Sequence, residues 1–338
     1  MIKRLLIIIL YLNYLSVTPV AAIERNISNL VSFEIRNDIY TPGNYSFASN
    51  LKFDFKVFNN LNFILGLTAD NYEIEVGEIF ARLPLHDYLH IQIGEFDNVL
   101  SLDGYLLPQN HIFAKNSLIS TLIEKQGYIS SSIGLMLYKP YLRNTLPISY
   151  FIHALWLPSH SEGQFDLGFF YHFSGENSYL GLLGCYFPFM AHYNWIGERS
   201  GTKLHNYTIN LIWSNYDNNF VYGSELSFGS NLIDPISLVE YPVDVDRSFF
   251  LGGDIHLGYS FIFDKLNWLP AIRYSVVFTE VKIMESYLQE IKIGNRLIYK
   301  DKLYLNIDTG IGINTKYISD ILYTGLEFLW ALKLSIVF

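Results

Sequence analysis

The sequence predicts an all-β chain: a transmembrane antiparallel β-barrel of about sixteen strands with a long third loop. Three observations predict it. The first is the stretch 324–338, TGLEFLWALKLSIVF, in which Leu326, Phe328, Trp330, Leu332, Leu334, Ile336 and Phe338 take every second position. Side chains two apart in a strand share a face, so these make one long apolar face, with Glu327, Lys333 and Ser335 opposite. The second is composition. The chain is 50% hydrophobic and 17% aromatic, yet after its N-terminal stretch it holds no unbroken apolar run long enough for a membrane helix. Apolar residues dispersed at period two suit strands that cross a bilayer. The third is an alternation of short and long connections between the strands.

The N-terminal residues read as an export signal. Lys3 and Arg4 precede the apolar run 5–12, and the small residues Val20, Ala21 and Ala22 follow. Cleavage is expected after Ala22, which leaves a signal peptide over 1–22 and a barrel over 23–338. Losing Lys3 and Arg4 takes the formal net charge from −9 to −11. Such an acidic chain argues against a nucleic-acid partner. Cys185 is the single cysteine, so no intramolecular disulfide and no thiolate cluster can form.

The expected strand cores are 28–36, 48–58, 61–69, 72–83, 87–95, 128–138, 148–157, 164–174, 179–187, 203–213, 219–229, 249–262, 268–278, 288–299, 303–313 and 324–338. Several alternate cleanly. Leu51, Phe53, Phe55 and Val57 oppose Lys52, Asp54 and Lys56. Phe165, Leu167, Phe169 and Tyr171 oppose Gln164, Asp166 and His172. A large aromatic face set against a face of Gly, Ser, Asn and charge is the arrangement of a lipid-facing barrel with a wet lumen. In 72–83 the phase flips between Val76 and Ile79, and one extra residue near Gly77 would restore it. Short links such as Asn59-Asn60 and Lys300-Asp301-Lys302 carry turn residues, and they alternate with longer ones such as 96–127 and 230–248.

The segments EVGEIFARLPL, LHIQIGEF, HIFAKNSLIS and GYISSSIGLMLY, spread over 75–138, resemble the early strands of the porin superfamily, phosphate-selective and general. In those a Gly-Gln-Phe or similar tripeptide closes a strand before the long third loop; here it is Gly94-Glu95-Phe96. The terminal Phe338 resembles the assembly signal that the barrel assembly machinery reads in bacterial outer-membrane proteins. The resemblance implies an outer-membrane, trimeric diffusion channel whose third loop folds inward and narrows the pore. Its partners would be outer-membrane lipid, that machinery and small hydrophilic solutes.

Charged side chains on a wet wall set ion preference. The expected pore-lining residues are Arg36, Lys52, Asp54, Lys56, Asp166, Glu225, Asp254, Arg273, Asp308 and Glu327, within a wider inner set that has a slight acidic excess. The expected constriction loop carries Glu95, Asp97, Asp103 and Lys115. A weakly cation-preferring or unselective pore follows. No cofactor, metal or catalytic site is expected: the nine histidines are scattered, and neither G-x-S-x-G nor H-E-x-x-H occurs. Asp254 and His256 share a face, and a serine nucleophile beside them would suggest a membrane hydrolase, a group recognised by geometry rather than by sequence. The rival reading is a surface barrel whose loops bind ligands, with little conductance.

Overall fold

The computed structural model describes residues 24–37, 44–58, 61–70, 73–98, 100–105, 111–114, 116–126, 128, 131–143, 145–157, 162–191, 202–230, 249–278, 287–318 and 321–337. The expected signal peptide, Lys115 and Phe338 lie outside the described residues. The strands are β1 (Glu24–Asn37), β2 (Asn44–Phe58), β3 (Leu61–Asp70), β4 (Glu73–His86), β5 (Leu89–Asp97), β6 (Ser131–Lys139), β7 (Ile148–Leu157), β8 (Glu162–Gly175) and β9 (Ser178–Ala191). They continue with β10 (Thr202–Asn215), β11 (Phe220–Ser230), β12 (Phe249–Tyr259), β13 (Phe261–Phe263), β14 (Leu266–Phe278), β15 (Tyr287–Tyr299), β16 (Leu303–Ile318) and β17 (Ile321–Val337). Two helices, α1 (Leu102–Tyr105) and α2 (Leu118–Lys125), sit between β5 and β6.

All strand pairings are antiparallel and belong to one sheet, as the sequence predicts. β12 and β13 both pair with β14 and are separated by Ser260 alone, so they form one stave, and the staves number sixteen among the described residues. β1 pairs with β17 as well as with β2, so the run of hairpins returns to its start. Among the described residues each stave thus has a paired neighbour on either side, which engages its backbone edges. The extra residue expected near Gly77 is present. Gly66 faces Glu78 and Leu67 faces Val76, with Gly77 bulged out between them, so Val76 and Ile79 keep the same side.

Alternation sorts side chains between the two faces. Phe165 is 55% exposed and Leu167 52%, whereas Gln164 and Asp166 between them are at 0% and 1%. The exposed set is apolar, from Ile133 and Trp156 through Tyr171, Trp213 and Tyr274 to Leu326 and Phe328. The aromatic residues Trp156, Tyr171, Trp213, Trp268 and Tyr274 therefore belong to the outer face rather than the lumen.

Among the described residues Gly94 is the one glycine with a positive φ. Its φ is +140°, and a Cβ there would lie 2.2 Å from the Ile79 carbonyl oxygen and 2.6 Å from Phe80 Cα. Those are backbone atoms of a paired strand and cannot step aside. Gly94→Ala is expected to cost about 2–3 kcal/mol, read as a lower urea midpoint of the refolded barrel.

The segment between β5 and β6 runs through the interior. It is bonded to β8, β10, β11, β14 and β16, and β8 and β16 stand nearly across the ring from each other. Only a path inside the ring reaches both through inward side chains. Leu100, Leu118, Ile119, Leu122, Ile123 and Tyr128 pack against Phe250, Val277 and Leu288, strand-end residues beside the long connections. Ile112 and Phe113 pack against Val221, Leu269 and Ala271, beside the short turns. The segment thus descends from the long-loop mouth to the short-turn mouth and climbs back along α2.

The expectation of a wet lumen needs correction over β7–β15. The inner face of β7–β15 carries Phe151, Phe170, Tyr179, Leu183, Ile212 and Phe250, all buried in clusters with the inserted segment or with one another. Period two identifies a face, and an inner face can be apolar wherever a buried segment covers it.

Candidate functional site: the barrel interior

The inserted segment is built to dock. Ser117 has an extended backbone at φ −64°, ψ 162°, and its hydroxyl accepts from the Ser120 N–H, capping α2. Leu118, Ile119, Leu122 and Ile123 form one apolar stripe on the helix. Eight residues are too few for a stable helix in water, so docking onto β12, β14 and β15 holds it.

Polar bonds tie down the rest of the segment. The Leu102 N–H donates to Glu225 Oε2 at 2.9 Å, and the Ala114 N–H to Asp308 Oδ2 at 2.8 Å. Asn98 Nδ2 donates to Asp166 Oδ2 at 3.1 Å, and Gln164 Nε2 to Asp166 Oδ1 at 2.8 Å. Asn210 donates to the Leu100 carbonyl, and Asn306 to the His111 carbonyl at 3.1 Å. The Tyr128 hydroxyl donates to the carbonyls of Tyr207 and Ser230. Backbone groups taken out of water must find such partners.

Arg273 is the hub of the charged cluster. It is 1% exposed, with Nε 3.8 Å from Asp254, one terminal nitrogen 3.6 Å from Glu290, and that nitrogen donating to the Asn116 carbonyl at 3.1 Å. The Phe113 ring lies 4.3 Å from the guanidinium carbon, a cation–π contact. Lys292 meets the far side of Glu290 at 2.6 Å. Asp254 also accepts from Ser275 and contacts His256 Nδ1, whose other nitrogen meets the Tyr216 hydroxyl.

Asp103, in α1, accepts from the Ser117 N–H at 2.6 Å and so staples the two helices. Burial alone would raise its carboxyl, but Arg273, His111, the Ser117 N–H and His256 outweigh burial and hold it below the usual carboxylate range. A depressed folded value means the contact stabilises fully above the unfolded value near 4. It is lost as pH falls through the lower folded value. The protection factor of the Ser117 amide is expected to hold from neutrality to about pH 4 and to drop below it, measured by hydrogen-exchange mass spectrometry.

The expected site residues divide into groups. Asp166, Glu225, Asp254, Arg273 and Asp308 face inward and are buried against the inserted segment or one another. Asp54, Lys56 and Glu327 are on the inner face and partly exposed. Arg36 and Lys52 occupy inner-face register positions in β1 and β2. The proposed constriction set is corrected in part. Glu95 lies in β5, opposite Ile79 and Ile133 on the outer face, and Asp97 ends that strand opposite Ser131. Of the described members, Asp103 enters the interior. The anchors Asn98, Tyr128, Asn210 and Asn306 carry no signal in sequence, because their partners lie 30 to 195 residues away.

No protein-family model matches the chain, and neither does any curated protein. Solved structures do. The anion-selective porin of Comamonas acidovorans superposes with a TM-score of 0.61 at 9% identity, over 94% of this chain and 99% of that one. OmpF of Salmonella typhi gives 0.59 at 12% identity, over 93% and 97%. The in-vitro folded trimer form of OmpT, an outer-membrane protein of Vibrio cholerae, gives 0.60 at 9%, over 94% and 100%.

The chain has the fold of the bacterial outer-membrane porins.

Within that porin fold, the Asp254–His256 pair has an arrangement distinct from a hydrolytic triad. Its serine neighbour, Ser275, donates to Asp254 rather than to His256, and His256 meets Tyr216 instead. A nucleophile is activated by contact with the base, which Ser275 does not make with His256. The group reads as structural support for Arg273. In this porin fold the inner wall is thus a docking surface over β7–β16 and a partly exposed wall on β2, β4 and β17.

Proposed function

We propose that the chain is an outer-membrane porin: a passive, non-catalytic channel for ions and small hydrophilic solutes, assembled as a homotrimer after export through a cleaved signal peptide. One observation carries the reading. A segment bonded to both sides of the ring narrows a sixteen-stave barrel while charged side chains on β2, β4 and β17 keep partial exposure inside it. A barrel of this strand number is wide enough to hold both a plug and a passage. The similarity to outer-membrane protein structures, one described as an anion-selective porin and another as a trimer form, supports the reading.

The test is single-channel recording of the purified barrel in a planar bilayer with a salt gradient. Stable conductance steps with mild selectivity are expected. The packed half of the interior favours one second reading, a loop-presenting barrel that binds ligands at the surface. Silence from a folded, heat-modifiable protein would select that reading and reject the channel.

A further inference from the structure

The exposed charges of the short-turn rim are unevenly spread. The β8–β9 turn carries Glu176 and the β10–β11 turn Asp217, and neither turn holds a base. The β13–β14 and β15–β16 turns carry Lys265, Lys300 and Lys302 beside Asp264 and Asp301, all exposed. Among the described residues none of these three lysines is in an ion pair. The Lys300 N–H donates to the Lys265 carbonyl at 2.9 Å, which fixes the two turns side by side. The Lys302 N–H donates to the Tyr299 carbonyl at 3.2 Å, with φ at +52° in Lys300 and +55° in Asp301, a type I′ turn. Glycine or asparagine adopts such φ values more readily, so the lysine at 300 is held against backbone preference. Its ammonium lies 5.3 Å from the Tyr299 ring centre.

Apolar side chains continue from these lysines up the outer face. Phe263, Leu266, Tyr299 and Leu303 form the end row, and above it Phe261 stacks on Trp268 at 5.3 Å. Further up the same strands lies an open groove of about 370 Å³, whose lining includes Ile291, Ile293, Thr309, Ile311, Ile313 and Phe328. Its lower lip, Ile293 opposite Thr309, is six residues from the Tyr299–Leu303 pair. Six residues are about 20 Å of strand, or about 15 Å of depth at the ~35–45° tilt of such barrels. That depth is half of the ~30 Å hydrocarbon core. We propose that this sector docks one anionic phospholipid of the leaflet at the short-turn mouth. Its phosphate sits on Lys265, Lys300 and Lys302, and an acyl chain runs along β15 and β16 to the Ile293–Thr309 lip. The inference rests on the outer-membrane reading. The ligand is amphipathic because the site is: cations at the water end, an apolar track above them. A soluble anion would meet the lysines and have no use for the track, and a zwitterionic lipid would bring an amine against three cations.

The experiment is native mass spectrometry of the whole barrel, released from micelles holding phosphatidylglycerol and phosphatidylcholine in equal amounts. Heat-modifiable mobility verifies the fold of each variant. The wild type is expected to retain phosphatidylglycerol about fivefold or more over phosphatidylcholine. K265Q/K300Q/K302Q should lose that preference. R143Q, which removes an exposed rim base from the β6–β7 link, should keep it. Thr309→Trp fills the lip with the lysines in place and should lower phosphatidylglycerol retention. Excess glycerol phosphate, which has the anion without the chain, should leave the lipid bound. An equal loss in R143Q and the triple variant, unchanged retention in Thr309→Trp, or displacement by glycerol phosphate would each overturn the site. Bilayer conductance of the same preparations separates this from the channel reading. A conducting barrel with no lipid preference overturns the site and leaves the channel standing, and a silent barrel that keeps the preference does the reverse.

Discussion

An aspartate at Leu122 is expected to free α2 from the wall and widen the passage. Leu122 is fully buried among Phe250, Val277 and Leu288, in an apolar cluster. Replacing it with a carboxylate removes its packing and puts an unpaired charge in a dry site, at a cost of at least about 3 kcal/mol. An eight-residue helix has no stability of its own to resist this. The barrel should survive, because the hairpin pairings that build it do not involve Leu122. The expected readout is a conductance increase of about twofold or more, together with new proteolytic cleavage between 98 and 128. An unchanged step size in a folded Leu122→Asp protein would mean that α2 does not limit flow.

Arg273→Gln should produce the largest loss of stability of any single change in the wall. The guanidinium balances Asp254 and Glu290 and holds the Asn116 carbonyl and Phe113 ring. Without it two buried carboxylates lose their shared cation, and removing one partner of a buried ion pair costs about 3–5 kcal/mol. The transition temperature of the heat-modifiable band should fall, and Asp254→Asn in the same chain should restore part of it. If the double variant is no more stable than Arg273→Gln alone, the lost aromatic and carbonyl contacts carry the effect rather than the charge.

The strands were legible because alternation is local. Leu326 to Phe338 or Phe165 to Tyr171 declare their face without any partner. The bulge at Gly77 was legible for the same reason, since a phase flip within one strand needs one extra residue. The inserted segment was legible as an interruption and by its apolar content, but not as two helices. The stripe of α2 is short, and its partners lie more than a hundred residues on. Glu95 was misplaced because a tripeptide resemblance marked a loop boundary, while the pairing with Ile133 continues to Asp97. Inner apolar positions such as Phe170 and Ile212 share parity with the inward polar residues, but period two does not tell that a segment covers them. The wall charges were found, but their division into buried and accessible depends on where the segment lies.

Asn98 Nδ2 donates to the Tyr128 carbonyl, which fastens the two ends of the inserted segment to each other, and the Tyr128 hydroxyl ties that end to Tyr207. The segment belongs to the first half of the chain, while many of its seats, from Ser230 to Asp308, are made later, and the seam between β1 and β17 closes last in chain order. Assembly therefore has a sequence imposed by geometry. A ring that seals with the segment outside must admit it afterwards through a mouth, whereas a curved open sheet can wrap around it. The cargo is loaded before the door shuts, and slow or failed refolding should trace to the order of those two events rather than to the strength of any one pairing.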